Sequence, residues 1–257
     1  MSKVYIFDVD GTLTPSRLMM SDKFKKFFIQ WVKNNNFYLV TGSDLPKLQE
    51  QMDGMEIHSS GIFTCCGNQF WQSDPAVHPK HCDLIYENKF KPPENLLTYL
   101  GFQIKISDTP VHSTNHREDR GAMLNFSVVG RDCTLEERQQ YFEWDKESGE
   151  REKIADEVRR GWPELDAVIG GQISIDIYPK GKDKSQILEH IGKRELEMAR
   201  ILDNLPPHNE YIFIGDGIEE GGNDFPLANL MDKTDDCSSY HTKGWEHTKE
   251  ILESLND

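Results

Sequence analysis

The sequence predicts an α/β fold, a Rossmann-like parallel-sheet core with an inserted α+β cap domain, on three observations. Short apolar runs ending in polar residues alternate with helical periodicity near the start of the chain. That pattern is lost from about residue 82, and it returns from Asp183 onward. Strand, helix, strand, helix implies parallel strands joined by right-handed crossovers. The first and last segments, 1–81 and 183–257, are therefore expected to form one core domain, with 82–182 as the cap.

Taken in order, residues 4–7 read as a short buried strand running into a turn. Ser21 is expected to cap a helix reaching about residue 34, because Phe24, Phe27, Phe28, Trp31 and Val32 fall at helical spacing on one face. The run "FYLV" at 37–40 is a second strand, ending at Thr41-Gly42-Ser43-Asp44, where another helix starts. After "GIFTCCGNQFW", residues 76–100 carry prolines and charges with little periodicity. In the cap, "FQIKI", "AMLNFSVV", "LDAVIG" and "ISIDIY" are candidate strands around a polar helical stretch over 134–160. The core pattern resumes with a helix containing Ile187, Leu188 and Ile191, then the strand "YIFIGD" at 211–216.

Composition sets bounds on partners. A chain of 257 residues, 37% hydrophobic, can bury a real core and sits where single domains begin to split in two. Lys and Arg total 29 against 44 Asp and Glu, a net charge of -15 that argues against a phosphate-backbone footprint. Nucleic acid is not expected as a partner, and any anion must be held by a local basic cluster. Cysteines at 65, 66, 82, 133 and 237 form no C-x-x-C pair, and "MSKVYIF" is not a cationic-then-apolar leader. Reduced thiols and a cytoplasmic location are expected. No apolar run approaches the ~20 residues that span a bilayer, so no membrane association is expected.

In open parallel sheets, ligands bind at the carboxyl ends of strands. Three strands here end in polar residues: at Asp8, at Thr41 and at Gly215-Asp216. A carboxylate at Asp8 can attack phosphorus, and Asp10, two residues on, can protonate a leaving oxygen or take a proton from an incoming hydroxyl. Two close carboxylates repel unless a cation compensates, which predicts Mg²⁺ with Asp216 as a further ligand. Lys184 is positioned to neutralise the nucleophile and a phosphoryl oxygen, and Thr41 or Ser43 supplies a hydroxyl donor.

"DVDGTLT", the hydroxyl after the second strand, Lys184 and "GDGIEEGGND" resemble the four motifs of the haloacid dehalogenase superfamily of aspartate-nucleophile phosphotransferases. "DGTLTPSR", "RGAMLNFSVVGRDCTLEER" and "GGQISIDIYPKGKDK" further resemble the eukaryotic-type phosphomannomutases. That resemblance implies interconversion of mannose 6-phosphate and mannose 1-phosphate through an aspartyl-phosphate, with hexose phosphates as partners and a hexose 1,6-bisphosphate as activator. It implies Mg²⁺ held by Asp8, the Asp10 carbonyl and Asp216, supported by Asn223 and Asp224, and a homodimer through the cap. It also implies substrate contact at Arg17, Arg120, Arg131, Arg138, Ser174 and Asp176. The chain departs from the family where a Glu-Asn-Gly stretch usually follows the third core strand; here stand Cys65-Cys66-Gly67-Asn68.

The cap residues have a physical reading of their own. Arg120, Arg131 and Arg138 concentrate three cations in a strongly acidic chain. Thr134 and Glu137 form a capping box that sets Arg138 in the first turns of a helix, where backbone N–H groups favour an anion. Ser174 and Asp176 are two apart, so they project from one strand face toward sugar hydroxyls. A second phosphate site in the cap suits a mutase, whose bisphosphate intermediate must present either end to Asp8. A Mg²⁺-dependent sugar-phosphate phosphatase and a non-catalytic sugar-phosphate binding protein are the alternative expectations.

Overall fold

The computed structural model describes residues 2–74, 77, 81–204 and 208–255. The chain divides into two compact bodies, one of Met1–Glu87, Asp183–Glu220 and Asp224–Asp257, the other of Asn88–Lys182 with Gly221–Asn223. Among the described residues, no helix is long and apolar enough to cross a membrane.

The core body begins with β1 (Ser2–Asp8), buried on both faces from Val4 onward, as a central parallel strand requires. α1 (Asp22–Trp31) starts at Ser21, whose hydroxyl accepts the Phe24 N–H at 3.2 Å. β2 (Asn36–Val40) follows, then α2 (Leu45–Met52), capped by the Asp44 carboxylate on the Lys47 N–H at 3.1 Å. β3 (Gly61–Thr64), β4 (Gln69–Ser73) and β5 (Cys82–Glu87) complete the first segment.

In the cap body, α3 (Glu94–Ile106) precedes β6 (Arg117–Asp119) and β7 (Leu124–Phe126). α4 (Leu135–Ser148) and α5 (Glu150–Gly161) lead to β8 (Leu165–Gly170) and β9 (Ser174–Pro179). The chain then re-enters the core through α6 (Gln186–Ile201), β10 (Asn209–Gly215), α7 (Phe225–Met231), β11 (Cys237–His241) and α8 (Trp245–Leu255).

The core sheet runs β11-β10-β1-β2-β3-β4-β5, parallel through β3 and antiparallel for β4 and β5. Alternation along the strands sorts their side chains onto two faces. Tyr5, Phe7, Phe37 and Leu39 pack with α1 and α2, and Val4, Ile6, Tyr38 and Val40 pack with Ile187, Ile191 and Leu227 of α6 and α7. The cap sheet is wholly antiparallel, in the order β6-β7-β9-β8. Its core joins Phe126, Ile175 and Ile177 to Leu96, Leu100, Tyr141, Ile154 and Val158 from the helices.

Three sequence expectations need correction. The run "FQIKI" is not a strand but the end of α3, because Leu96 and Leu100 bury at i and i+4 and override the local alternation. The boundary expected at 82 moves to 87, since β5 pairs with β4; a largely exposed edge strand carries little apolar signal. The core sheet is mostly parallel, with its antiparallel end at β4 and β5. The run "AMLNFSVV" forms a strand only over Leu124–Phe126.

Phe28 is fully buried, with its ring 5.4 Å from both Phe24 and Trp31 and 5.3 Å from Phe37. Phe28→Ala is expected to cost about 3–5 kcal/mol in urea unfolding, by lost transfer energy and a residual cavity. A loss below about 1 kcal/mol would mean that this cluster does not anchor α1 to the sheet.

Candidate active site

β1 delivers Asp8 at its buried end, 3% exposed. The next turn folds back tightly, with the N–H groups of Thr12, Leu13 and Thr14 all directed at the Val9 carbonyl at 3.0–3.2 Å. Gly11 is required here: its φ is +87°, and a Cβ would lie 2.3 Å from Asp216 Oδ2. The Asp10 carboxylate is held through Oδ1 by the Arg17 N–H and by Gln51 Nε2 at 3.1 Å. Gln51 also reaches the Thr14 hydroxyl at 3.2 Å, and its own carbonyl accepts the Met20 N–H at 2.7 Å.

Lys184 is fully buried, with Nζ 2.6 Å from Asp8 Oδ1 and 2.6 Å from Asp224 Oδ1. Asp224 Oδ2 accepts the Gly217 N–H at 3.0 Å, so this carboxylate links Lys184 to the loop after β10. Burial alone would lower the Lys184 ammonium; Asp224 and Asp8 outweigh it and hold the group raised. Burial pushes the Asp8 carboxyl well above the usual range, Lys184 pulls it down, and Asp224 and Asp216 push it up again. Asp216 is solvent-exposed but stands against the other acids of the cluster; desolvation of its carboxyl, then Asp224, pushes it up to about 7.

Carboxylate oxygens of Asp8, Asp216 and Asp224 lie within 4.8 Å of one another. Three carboxylates against one ammonium leave negative charge uncompensated, and an all-oxygen donor set suits a hard cation. The residues therefore fit a metal of that kind. The Asp10 carboxylate is outside this cluster; the contact expected from Asp10 is its backbone carbonyl.

The second expected core element is the loop after β2. Thr41 is buried and its hydroxyl accepts the Ser43 N–H at 3.1 Å. The loop is fastened to a left-handed turn after β3, where Cys65, Cys66 and Gly67 have φ of 52°, 57° and 85°. There the Cys66 N–H donates to the Thr41 carbonyl at 2.9 Å and the Cys65 N–H to the Ser43 carbonyl at 3.1 Å. Gln186 Nε2, two residues after Lys184, donates to the Cys66 carbonyl at 3.1 Å.

The cap body holds a second cluster. Register pairs Glu118 with Asn125 and Asn125 with Asp176, so a polar row crosses β6, β7 and β9 on one face. Asn125 Nδ2 donates to Asp176 Oδ1 at 2.6 Å, and Arg131 Nη1 donates to Asn125 Oδ1 and lies 3.5 Å from the Ser174 hydroxyl. Glu118 Oε2 accepts from Arg120 and Arg131 at 2.6 and 2.9 Å. Arg138 is buried in the second turn of α4, behind the capping box of Thr134 and Glu137.

The structure thus gathers Asp8, Lys184, Asp216 and Asp224 in one cluster and Arg120, Arg131, Ser174 and Asp176 in another. Arg17 stands in the core, tied to Asp10 by its own N–H. Sequence reasoning missed Gln51, Asn125 and Glu118. A polar residue inside the apolar run "AMLNFSVV" was a signal for Asn125; Gln51 and Glu118 gave none, because each matters through a partner distant in sequence or a strand pairing.

The fold aligns with the haloacid dehalogenase-like hydrolase from Bacteroides thetaiotaomicron at TM-score 0.57, over 99% of this chain and 100% of that one, with 15% identity. It aligns with the C-terminal domain of Candida albicans (C. albicans) trehalose-6-phosphate phosphatase at TM-score 0.62, over 99% and 92%, also with 15% identity. The architecture is therefore haloacid dehalogenase-like. The sequence profile of eukaryotic phosphomannomutase matches residues 24–255. A phosphomannomutase of Encephalitozoon cuniculi (strain GB-M1) is 37% identical over 235 residues, 89% of this chain and 85% of that protein. The chain belongs to the eukaryotic phosphomannomutase family.

A raised carboxyl has a definite stability signature. Without metal, folded Asp216 keeps a proton that the unfolded chain releases above about pH 4, so its contribution falls as pH rises from about 4 to about 7. In urea unfolding with chelator, the wild type is expected to lose more stability between about pH 5 and about pH 7.5 than Asp216→Asn does. Equal slopes would contradict the crowding of charge described above.

Proposed function

We propose that the protein interconverts mannose 6-phosphate and mannose 1-phosphate, with Mg²⁺ and a hexose 1,6-bisphosphate activator. The bisphosphate first transfers one phosphoryl group to Asp8. A bound hexose monophosphate then attacks that aspartyl-phosphate with its free hydroxyl, whose proton passes to Asp10, and the carboxylate of Asp8 departs. The resulting bisphosphate turns end for end and returns its other phosphoryl group to Asp8, while Asp10 protonates the sugar oxygen that leaves. Mg²⁺, held by Asp8, the Asp10 carbonyl and Asp216 with Asp224 and Asn223 in support, would offset the charge repelling an incoming phosphate. Lys184 fixes Asp8, and Thr41 or Ser43 donates to the transferred group.

One observation supports this reading: charged groups gather in two separate clusters, Asp8 and Lys184 in the core body and Arg120 and Arg131 beside Ser174 in the cap body. The reading assigns the reacting phosphate to the first and the other phosphate to the second. A hydrolase needs only the first set. Pairing of two chains through the cap rests on the family resemblance, and the exposed side chains of Phe102 and Ile106 on α3 are compatible with it; a cytoplasmic location rests on the cysteine usage.

The deciding assay incubates mannose 1-phosphate with enzyme, Mg²⁺ and a trace of bisphosphate, and follows both isomer and free phosphate. Mannose 6-phosphate is expected in excess; free phosphate with little isomer would identify a phosphatase instead. Asp8→Asn is expected to abolish transfer while leaving the fold intact. Arg138→Ala is expected to weaken hexose phosphate binding by about 1.5–3 kcal/mol, or roughly tenfold to a hundredfold in KM.

A further inference from the structure

Glu118 has no part in the chemistry above, yet it lies at the centre of the cap cluster. Its Oε2 accepts from Arg120 Nε at 3.1 Å, Arg120 Nη2 at 2.6 Å and Arg131 Nη2 at 2.9 Å. Two guanidinium groups therefore converge on a single carboxylate oxygen. A guanidinium does not lose its proton in a protein, so the repulsion between two of them is relieved only by an anion or by separation. Arg120 and Arg131 are both largely buried, which deprives them of water as an alternative.

Arg131 is also held from its other nitrogen. Asn125 directs Oδ1 to Arg131 Nη1 because its Nδ2 is committed to Asp176 at 2.6 Å, which fixes the orientation of the amide. The plane of Arg131 is thus pinned at two points, by Glu118 and by Asn125. Long side chains ordered in advance lose less rotamer freedom when a ligand arrives, and binding gains accordingly.

We propose that Glu118 is the positioning residue of the distal phosphate subsite: its carboxylate sets the spacing and orientation of Arg120 and Arg131 before the sugar phosphate binds. The inference deepens the mutase reading and rests on it. Glu118 acts through the two arginines. Its place on β6, an edge strand of the cap sheet, leaves it about one-third exposed.

Glu118→Gln keeps the size and an acceptor oxygen but removes the charge; Glu118→Asp keeps the charge one methylene short. Calorimetry gives the Kd of mannose 1-phosphate and steady-state assays give KM and kcat, alongside the thermal midpoint of each variant. For Glu118→Gln, Kd and KM are expected to rise about tenfold, with kcat falling by less and the midpoint close to wild type. Glu118→Asp is expected to fall between the two, and Asn125→Ser, which releases Arg131 alone, to raise Kd as well. Binding by Glu118→Gln as tight as wild type, or tighter, overturns the proposal, since the carboxylate would then be a bystander or a competing anion. A wild type that binds mannose 1-phosphate without isomerising it rejects the mutase reading, and the Kd ratio still judges Glu118. A wild type that does not bind it rejects both.

Discussion

The buried contact of Lys184 with Asp8 and Asp224 is the interaction on which the core depends. Its three members come from the first strand, the re-entry after the cap and the segment after β10, so it closes the chain across 176 residues of sequence. An ammonium sealed from water is tolerable only because two carboxylates meet it at 2.6 Å. Removing one partner of such a contact leaves a buried charge uncompensated, at a cost of about 3–5 kcal/mol. The same ammonium bonds Asp8, the proposed nucleophile, so the folded core and the proposed chemistry draw on one set of atoms.

Both bodies use the same device at different scales. In the core, a cation is fixed between two acids; in the cap, an acid is fixed between two cations. On the proposed function, each arrangement orders charge before a ligand arrives, which is how phosphoryl transfer is assisted when a protein contributes mainly position and electrostatics. A chain with net charge -15 has few cations to spare, and those that matter here are clustered and held by local partners.

The strand ends were legible in the sequence because buried parallel strands read as apolar runs, and Asp8, Thr41 and Asp216 each interrupt one. The helix caps at Ser21 and Thr134 were legible for a local reason: each side chain bonds an N–H three residues on, as Asp44 also does at the start of α2. β5 and α3 were not. One is an edge strand with little to bury, and the other presents a five-residue alternation that its buried Leu96 and Leu100 overrule. The pairing of Lys184 with Asp224 and the orienting contact of Gln51 on Asp10 join residues far apart in sequence, and no periodicity encodes them.

The left-handed turn at Cys65–Gly67 carries its connections on main-chain atoms. Its N–H groups hold the Thr41–Ser43 loop, and a carbonyl receives Gln186 beside the Lys184 segment. At Cys65 and Cys66 these links run through main-chain atoms, whereas position 67 tolerates only glycine, since a Cβ there would lie 2.7 Å from Ile187 Cγ2. Two thiols at 65 and 66 can therefore stand where the family resemblance implied Glu-Asn, with the hydroxyl loop and the lysine still held in register. Divergence at that position is a change of upholstery over an unaltered frame.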